Sequence, residues 1–234
     1  MVQYHEYFDP AQAAAFNELS TKRDSTFELT YWGFHGLGKV ENVIITDETW
    51  GSKKPLAPFG LVPTFKETSS NGKTVIQIAE SDAIERYLAK KFGLFGDNAF
   101  EETVINTFLS HTNSAITDLF ARYYHYSKED RESKKEAVIN ATALPWLQHH
   151  ERHLTANGSN GHYVGDKLSL ADLKASYVIK ALLPIIGEDT VTEAKTPALW
   201  RLKTTIDKIP TLAAWRATKE YRAFDDLNRE LLGY

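Results

Sequence analysis

Residues 61–93 read LVPTFKETSSNGKTVIQIAESDAIERYLAKKFG, and this stretch decides the fold. VPTFKET and TVIQIAE are strand-like runs rich in β-branched and aromatic residues, with SSNGK making the turn between them. Ser81 then opens SDAIERYLAKKFG, where Ile84, Tyr87 and Leu88 share one helical face and Gly93 stands at a C-cap position. Upstream, FELTYW and NVIIT have the same strand-like texture. Residues 27–92 therefore read as a four-stranded sheet closed by a helix.

The flanks differ in kind. Asp9-Pro10 followed by AQAAAFNEL reads as an N-cap, a proline at the first helical position and a short alanine-rich helix, an appendage before the sheet. After the connector GLFGDN the chain is helical in period. Its clearest element is LSLADLKASYVIKALLP, apolar nearly all round, as in a helix buried on every side. Ser169 and Asp172 supply a capping box at its start, and Leu168 with Leu173 a hydrophobic staple. From Pro197 onward two or three shorter helices follow, punctuated by Pro210. The expected organisation is an N-terminal extension over residues 1–26, an α/β domain over 27–95 and an all-α domain over 96–234.

A chain of 234 residues with 42% hydrophobic content can build one large core or two small ones. A net charge of −4 supplies no basic field for nucleic acid or an anionic membrane. With no cysteine there is no disulfide, thiolate metal site or cysteine nucleophile, so any reactive sulfur must come from a ligand. The N-terminus lacks the apolar stretch of a signal peptide, and no run reaches transmembrane length; the cytoplasm is the expected compartment.

Several residues can carry chemistry. Pro63 follows a β-branched residue and opens a strand; a cis bond there would turn the backbone of Val62 outward, whereas the plainer reading is a proline starting an edge strand. Glu80-Ser81 sits where a strand runs into a helix, so a hydroxyl, free N–H groups and the positive helix end converge where a carboxylate could sit; an ordinary N-cap is the alternative. Trp50 and Lys54, four residues apart in a polar loop, offer an indole donor and a cation able to bracket another carboxylate, unless the indole only caps an apolar face. Tyr31 ends the first strand, a place where most tyrosines are packing residues. His149, His150 and His153 form H-H-x-x-H, but Trp146 and Leu147 claim a buried face of that helix and no acid completes a general-base motif, so no metal is expected.

With TYW at the first strand, Trp50 and Lys54 before PFGLVPTF, then AESDAIERYLAKKFGLFG and VGDKLSLADL, the chain resembles the cytosolic glutathione transferases over residues 27–232. The match is closest to their tyrosine-using classes, sigma in particular. The resemblance implies a thioredoxin-like α/β N-terminal domain followed by an all-α helical bundle, glutathione as cosubstrate and a homodimer. It implies that Tyr31 donates to the glutathione sulfur and that Val62, before Pro63, pairs with the cysteinyl backbone. Glu80 and Ser81 would hold the γ-glutamyl end, and Trp50 with Lys54 the glycyl carboxylate. Trp32 would wall the electrophile site, with Tyr124 lining it from the first long helix of the bundle. The activity implied is conjugation of glutathione to electrophilic small molecules, the alternative being a non-catalytic ligand-binding or structural relative.

One departure stands out. The family's first helix lies between the first two strands, yet residues 33–42 offer only ten positions, and GFHGLGK has three glycines and no apolar helical face. The first helix reads as missing or stunted, with about a dozen residues lacking after Gly38. Its loss would bare Leu29, Val43 and Ile45, and residues 8–19 are the expected cover, with Phe16 and Leu19 packing. Leu37 falls where sigma relatives place an arginine, and Asn106 where an acid would reach across the dimer.

Overall fold

The structure is a computed structural model describing residues 12–32 and 41–232. Four strands form: β1 (Thr26–Trp32), β2 (Glu41–Ile45), β3 (Thr64–Thr68) and β4 (Val75–Ala79). They lie in the order β2-β1-β3-β4. β1 and β2 run parallel, and the other two pairs are antiparallel. β3 and β4 fall inside two of the runs read from sequence, and β1 and β2 overlap the other two, each beginning one residue earlier. The SSNGK turn closes through Ser69 N–H donating to the Thr74 carbonyl at 2.9 Å, with Gly72 at φ 72° and Asn71 Oδ1 accepting from Lys73 N–H at 2.9 Å. Here a glycine relieves the left-handed backbone.

Residues opposed across a ladder point to the same side of a sheet. The register Phe27↔Glu67↔Ile76 and Leu29↔Phe65↔Ile78 thus gathers one apolar side. Helix α3 (Ser81–Lys91) packs there through Ile84, Tyr87 and Leu88, the face read from its spacing. Helix α1 (Ala13–Thr21) joins the same core: Leu19 is 0% exposed against Phe65, Ile76, Ile78 and Ile84, and Phe16 meets Tyr87 edge to face at 6.2 Å. Leu29 packs against the core that α1 joins, whereas Val43 and Ile45, named with it from the sequence, alternate to the opposite side. Ile45 is nevertheless 2% exposed. The proposed cap at Asp9-Pro10 lies outside the described residues, as do the beginning of the 8–19 segment, the supposed first helix and Leu37, since residues 33–40 are all that separates β1 from β2.

An element the sequence did not suggest follows β2. Trp50 and Lys54 are not in a polar loop: α2 (Asp47–Lys53) runs straight into a 3₁₀ turn, Lys54–Leu56. TDETW starts a helix because Thr49 Oγ1 reaches back to accept Thr46 N–H at 2.8 Å and Asp47 and Glu48 sit at the positive helix end.

The remaining helices are α4 (Ala99–Leu119), α5 (Lys128–Val138), α6 (Leu144–Ala156), α7 (Leu170–Ile186), α8 (Pro197–Asp207), α9 (Pro210–Arg216) and α10 (Lys219–Leu232). Short π-helical turns, Phe120–Tyr124 and Ile139–Ala143, prolong α4 and α5. α7 is the hub expected of its all-round apolarity, with Ala175, Val178, Ile179 and Leu182 fully withdrawn from solvent. Its capping box forms as written: Asp172 Oδ2 accepts Ser169 N–H at 2.7 Å, and Asp172 Oδ1 also accepts Tyr163 N–H at 2.9 Å. The chain divides into two compact units, Met1–Phe92 with Lys219–Asp225, and Gly93–Thr218 with Asp226–Tyr234. The first is a thioredoxin-like sheet domain and the second an all-α bundle. Among the described residues no helix is long and apolar enough to cross a membrane.

Candidate functional site

Strand register gathers the candidate residues of the first unit. Thr64, the first residue of β3, pairs with Thr30 on one side and Ala79 on the other. The last residues of β1 and β4 and the entry to β3 therefore share one end of the sheet. β2, parallel to β1, ends there too, with Ile45 opposite Trp32 and α2 beginning two residues later. Tyr31, Val62-Pro63, Glu80-Ser81 and the α2 segment are thus brought to one edge. Two strand spacings separate the β1 backbone from that of β4, about 10 Å. An extended tripeptide spans about the same distance.

The Val62–Pro63 peptide is cis. Val62 is half-buried, and among the described residues neither its N–H nor its carbonyl has a hydrogen-bond partner. These are the groups an extended peptide needs for antiparallel pairing.

The next feature is a strained junction. Glu80, between β4 and α3, has φ 71° and ψ 123°, a region a non-glycine residue rarely occupies. The helix cap falls on Glu80 rather than on Ser81, which is the first helical residue, and the Glu80 carbonyl accepts Ile84 N–H at 3.0 Å. Ser81 is exposed, and its N–H and hydroxyl are free among the described residues. An unpaired N–H, a hydroxyl and the positive end of an eleven-residue helix suit a carboxylate.

Trp50 and Lys54 lie one helical turn apart, Lys54 N–H donating to the Trp50 carbonyl. That spacing sets them on one face. The Lys54 stem crosses Gly60, its Cε 3.5 Å from where a β-carbon would stand on that glycine. The side chains of Tyr31 and Trp32 lie outside the described set, while the Tyr31 backbone pairs with Ile44.

In the helical unit Tyr124 is 7% exposed and donates its hydroxyl to the Ala181 carbonyl at 2.7 Å. That hydroxyl is committed to α7. The ring borders a shallow open surface with Ile116, Phe120 and Ala121 of the same helical stretch. Asn106 turns its amide to the Glu102 carbonyl at 3.1 Å.

The histidines gather around His150. His150 is buried, stacked on Trp146 at 4.0 Å between ring centroids, 3.0 Å from His111 Nδ1, and bonded to the Tyr163 hydroxyl. Burial first, and then the neighbouring His111, His153 and His149, lower its pKa to about 3. Among the described residues no three acidic or histidine side chains are placed to hold a metal ion.

Sequence reading missed a buried polar cluster in the sheet domain. Lys91 Nζ donates to Glu67 Oε1 at 2.8 Å and to the Leu19 carbonyl, with both charged side chains 0% exposed. Tyr87 Oη donates to Glu67 Oε2 at 2.7 Å, and Ser25 Oγ donates to Oε1. Burial, and then the Glu67 carboxylate, hold the Tyr87 phenol far above its usual range. The signal was present: Glu67 shares its strand side with Phe65 by period-two alternation.

Comparison with known proteins adds an independent line. The family model described as glutathione S-transferase, C-terminal domain, matches residues 116–219. Glutathione S-transferase P of Caenorhabditis elegans is 32% identical over 162 residues, 63% of this chain and 72% of that protein. Probable glutathione S-transferase 5 of the same nematode is 29% identical over 218 residues, 85% of this chain and 99% of its own length. The crystal structure of a major nematode-specific transferase of C. elegans matches with a TM-score of 0.68 at 27% identity, covering 83% of this chain and 97% of that one.

Proposed function

The chain belongs to the glutathione S-transferase family, and we propose that it conjugates glutathione to apolar electrophiles through a thiolate stabilised by Tyr31, in the manner of the tyrosine-using, sigma-like classes. One observation carries the reading: the register through Thr64 collects Val62, Ser81 and Tyr31 at a single edge about one tripeptide long. In this reading the free N–H and carbonyl of Val62 pair with the cysteinyl residue. Ser81, with Glu80 beside it, takes the γ-glutamyl carboxylate, and Trp50 and Lys54 take the glycyl one. Pro63 leaves the Val62 carbonyl beside a residue that cannot donate.

The Tyr31 hydroxyl donates to sulfur. A donated hydrogen bond favours the charged form, so the thiol loses its proton to solvent more readily. The thiolate then attacks an electrophilic carbon, a C–S bond forms, and a halide or equivalent group departs with the electron pair. The working form is a cytoplasmic homodimer serving detoxification, with no metal required. Exposed Leu56, Phe59 and Leu61, between α2 and β3, suit the burial a subunit contact would give.

Glutathione-resin retention and turnover of an aromatic halide test this. Retention is expected, with affinity falling about tenfold in Ser81→Ala through loss of a charge-assisted hydrogen bond. Turnover is expected to collapse in Tyr31→Phe. Retention without turnover would favour a non-catalytic binding protein, a reading supported by Leu37 and Asn106, which are uncharged. No retention would remove the glutathione assignment.

A further inference from the structure

We propose that α1 is coupled to the glutathione edge, with Lys91 as the positioning residue that joins them; the inference rests on the glutathione reading above. Lys91 is the last residue of α3, and its ammonium bridges Glu67 on β3 and the Leu19 carbonyl in the last turn of α1. A cation at that helix end is favourably placed. Glu67 is held from its other sides by Tyr87 of α3 and Ser25 of the α1–β1 connection. One buried cluster therefore pins α1 to β3 and α3 together.

Those two elements carry the peptide-binding groups at their opposite ends. β3 begins directly after Pro63, and α3 begins at Ser81. A regular helix and strand transmit displacement along their axes, so where α1 seats Lys91 sets how far Ser81 stands from Val62. α1 precedes the sheet in sequence, yet it supplies Leu19 to the core. The N-terminal helix is thus tied to the elements that carry the binding edge rather than being an appendage. Because coupling is reciprocal, glutathione must in turn tighten α1.

Amide hydrogen exchange on the full chain, with and without saturating glutathione, tests the proposal. Slower exchange is expected at residues 62–64 and 81–84, and also at 17–22, which no ligand touches. Protection at the first two sites with unchanged exchange at 17–22 overturns it. In the double variant Lys91→Met/Glu67→Gln, the buried charges go together and the thermal midpoint is expected to stay near wild type. Its glutathione Kd is expected to rise about tenfold, because the tether to Leu19 is gone. A recovered midpoint with unchanged Kd makes Lys91 a packing residue and refutes the positioning role. If this variant does not fold, the wild-type exchange at 17–22 decides. If glutathione protects nothing, the glutathione reading fails, and faster exchange at 81–84 in the double variant supports the coupling while an unchanged rate overturns it.

Discussion

Lys91 Nζ lies 2.8 Å from Glu67 Oε1 with both side chains wholly withdrawn from solvent. Removing one partner of such a pair leaves a buried, uncompensated charge. Lys91→Met alone is therefore expected to lower the stability of the sheet domain by about 3–5 kcal/mol. Equilibrium urea unfolding checks this; a loss below about 1 kcal/mol would fit an exposed pair instead.

Leu19 is 0% exposed and packs on Phe65, Ile76, Ile78 and Ile84. Leu19→Ala should cost about 2–5 kcal/mol, whereas truncating a true appendage should cost nearly nothing. The same unfolding measurement distinguishes the two.

The pH dependence of the helical unit should carry the signature of His150. Its imidazole, near the usual His value when unfolded, falls to about 3 when folded. The unfolded chain thus binds the extra proton between those values, so stability is full above about pH 6.5 and drains away as pH falls toward 3. The loss approaches about 5 kcal/mol at the acid end. His150→Gln should unfold with a flatter acid limb, measured by far-ultraviolet circular dichroism across that window; an unchanged limb would remove His150 as the cause.

His162 works in the opposite direction. The Asp172 carboxylate, 3.3 Å away, raises its pKa. A raised folded value gives stability that is complete below about pH 6.5 and lost as pH rises through that higher value. His162→Gln should abolish this alkaline decline in the thermal midpoint and leave the acid limb in place.

The strands were legible because FELTYW, NVIIT, VPTFKET and TVIQIAE each concentrate β-branched and aromatic residues between polar breaks, and α7 because its apolar surround and Ser169–Asp172 cap agree. The cis bond at Val62–Pro63 is one of the two readings left open by a proline that begins a strand. α2 escaped because seven mostly polar residues carry no apolar stripe, and only a local capping pattern holds them. Glu67 and Lys91 escaped because an isolated Glu and Lys are usually solvated, and only tertiary packing reveals that these meet. The Tyr124 hydroxyl could not be placed because the π-helical turn at Phe120–Tyr124 shifts the helical phase, which no spacing argument anticipates.

The most direct test is the ionisation of glutathione on the protein, followed by the ultraviolet absorbance of the bound thiolate as pH is varied. The account predicts a thiol pKa at least about one unit below the ordinary thiol value near 8.5 in the wild type, returning toward that value in Tyr31→Phe. Bound glutathione that titrates alike in both proteins would contradict it.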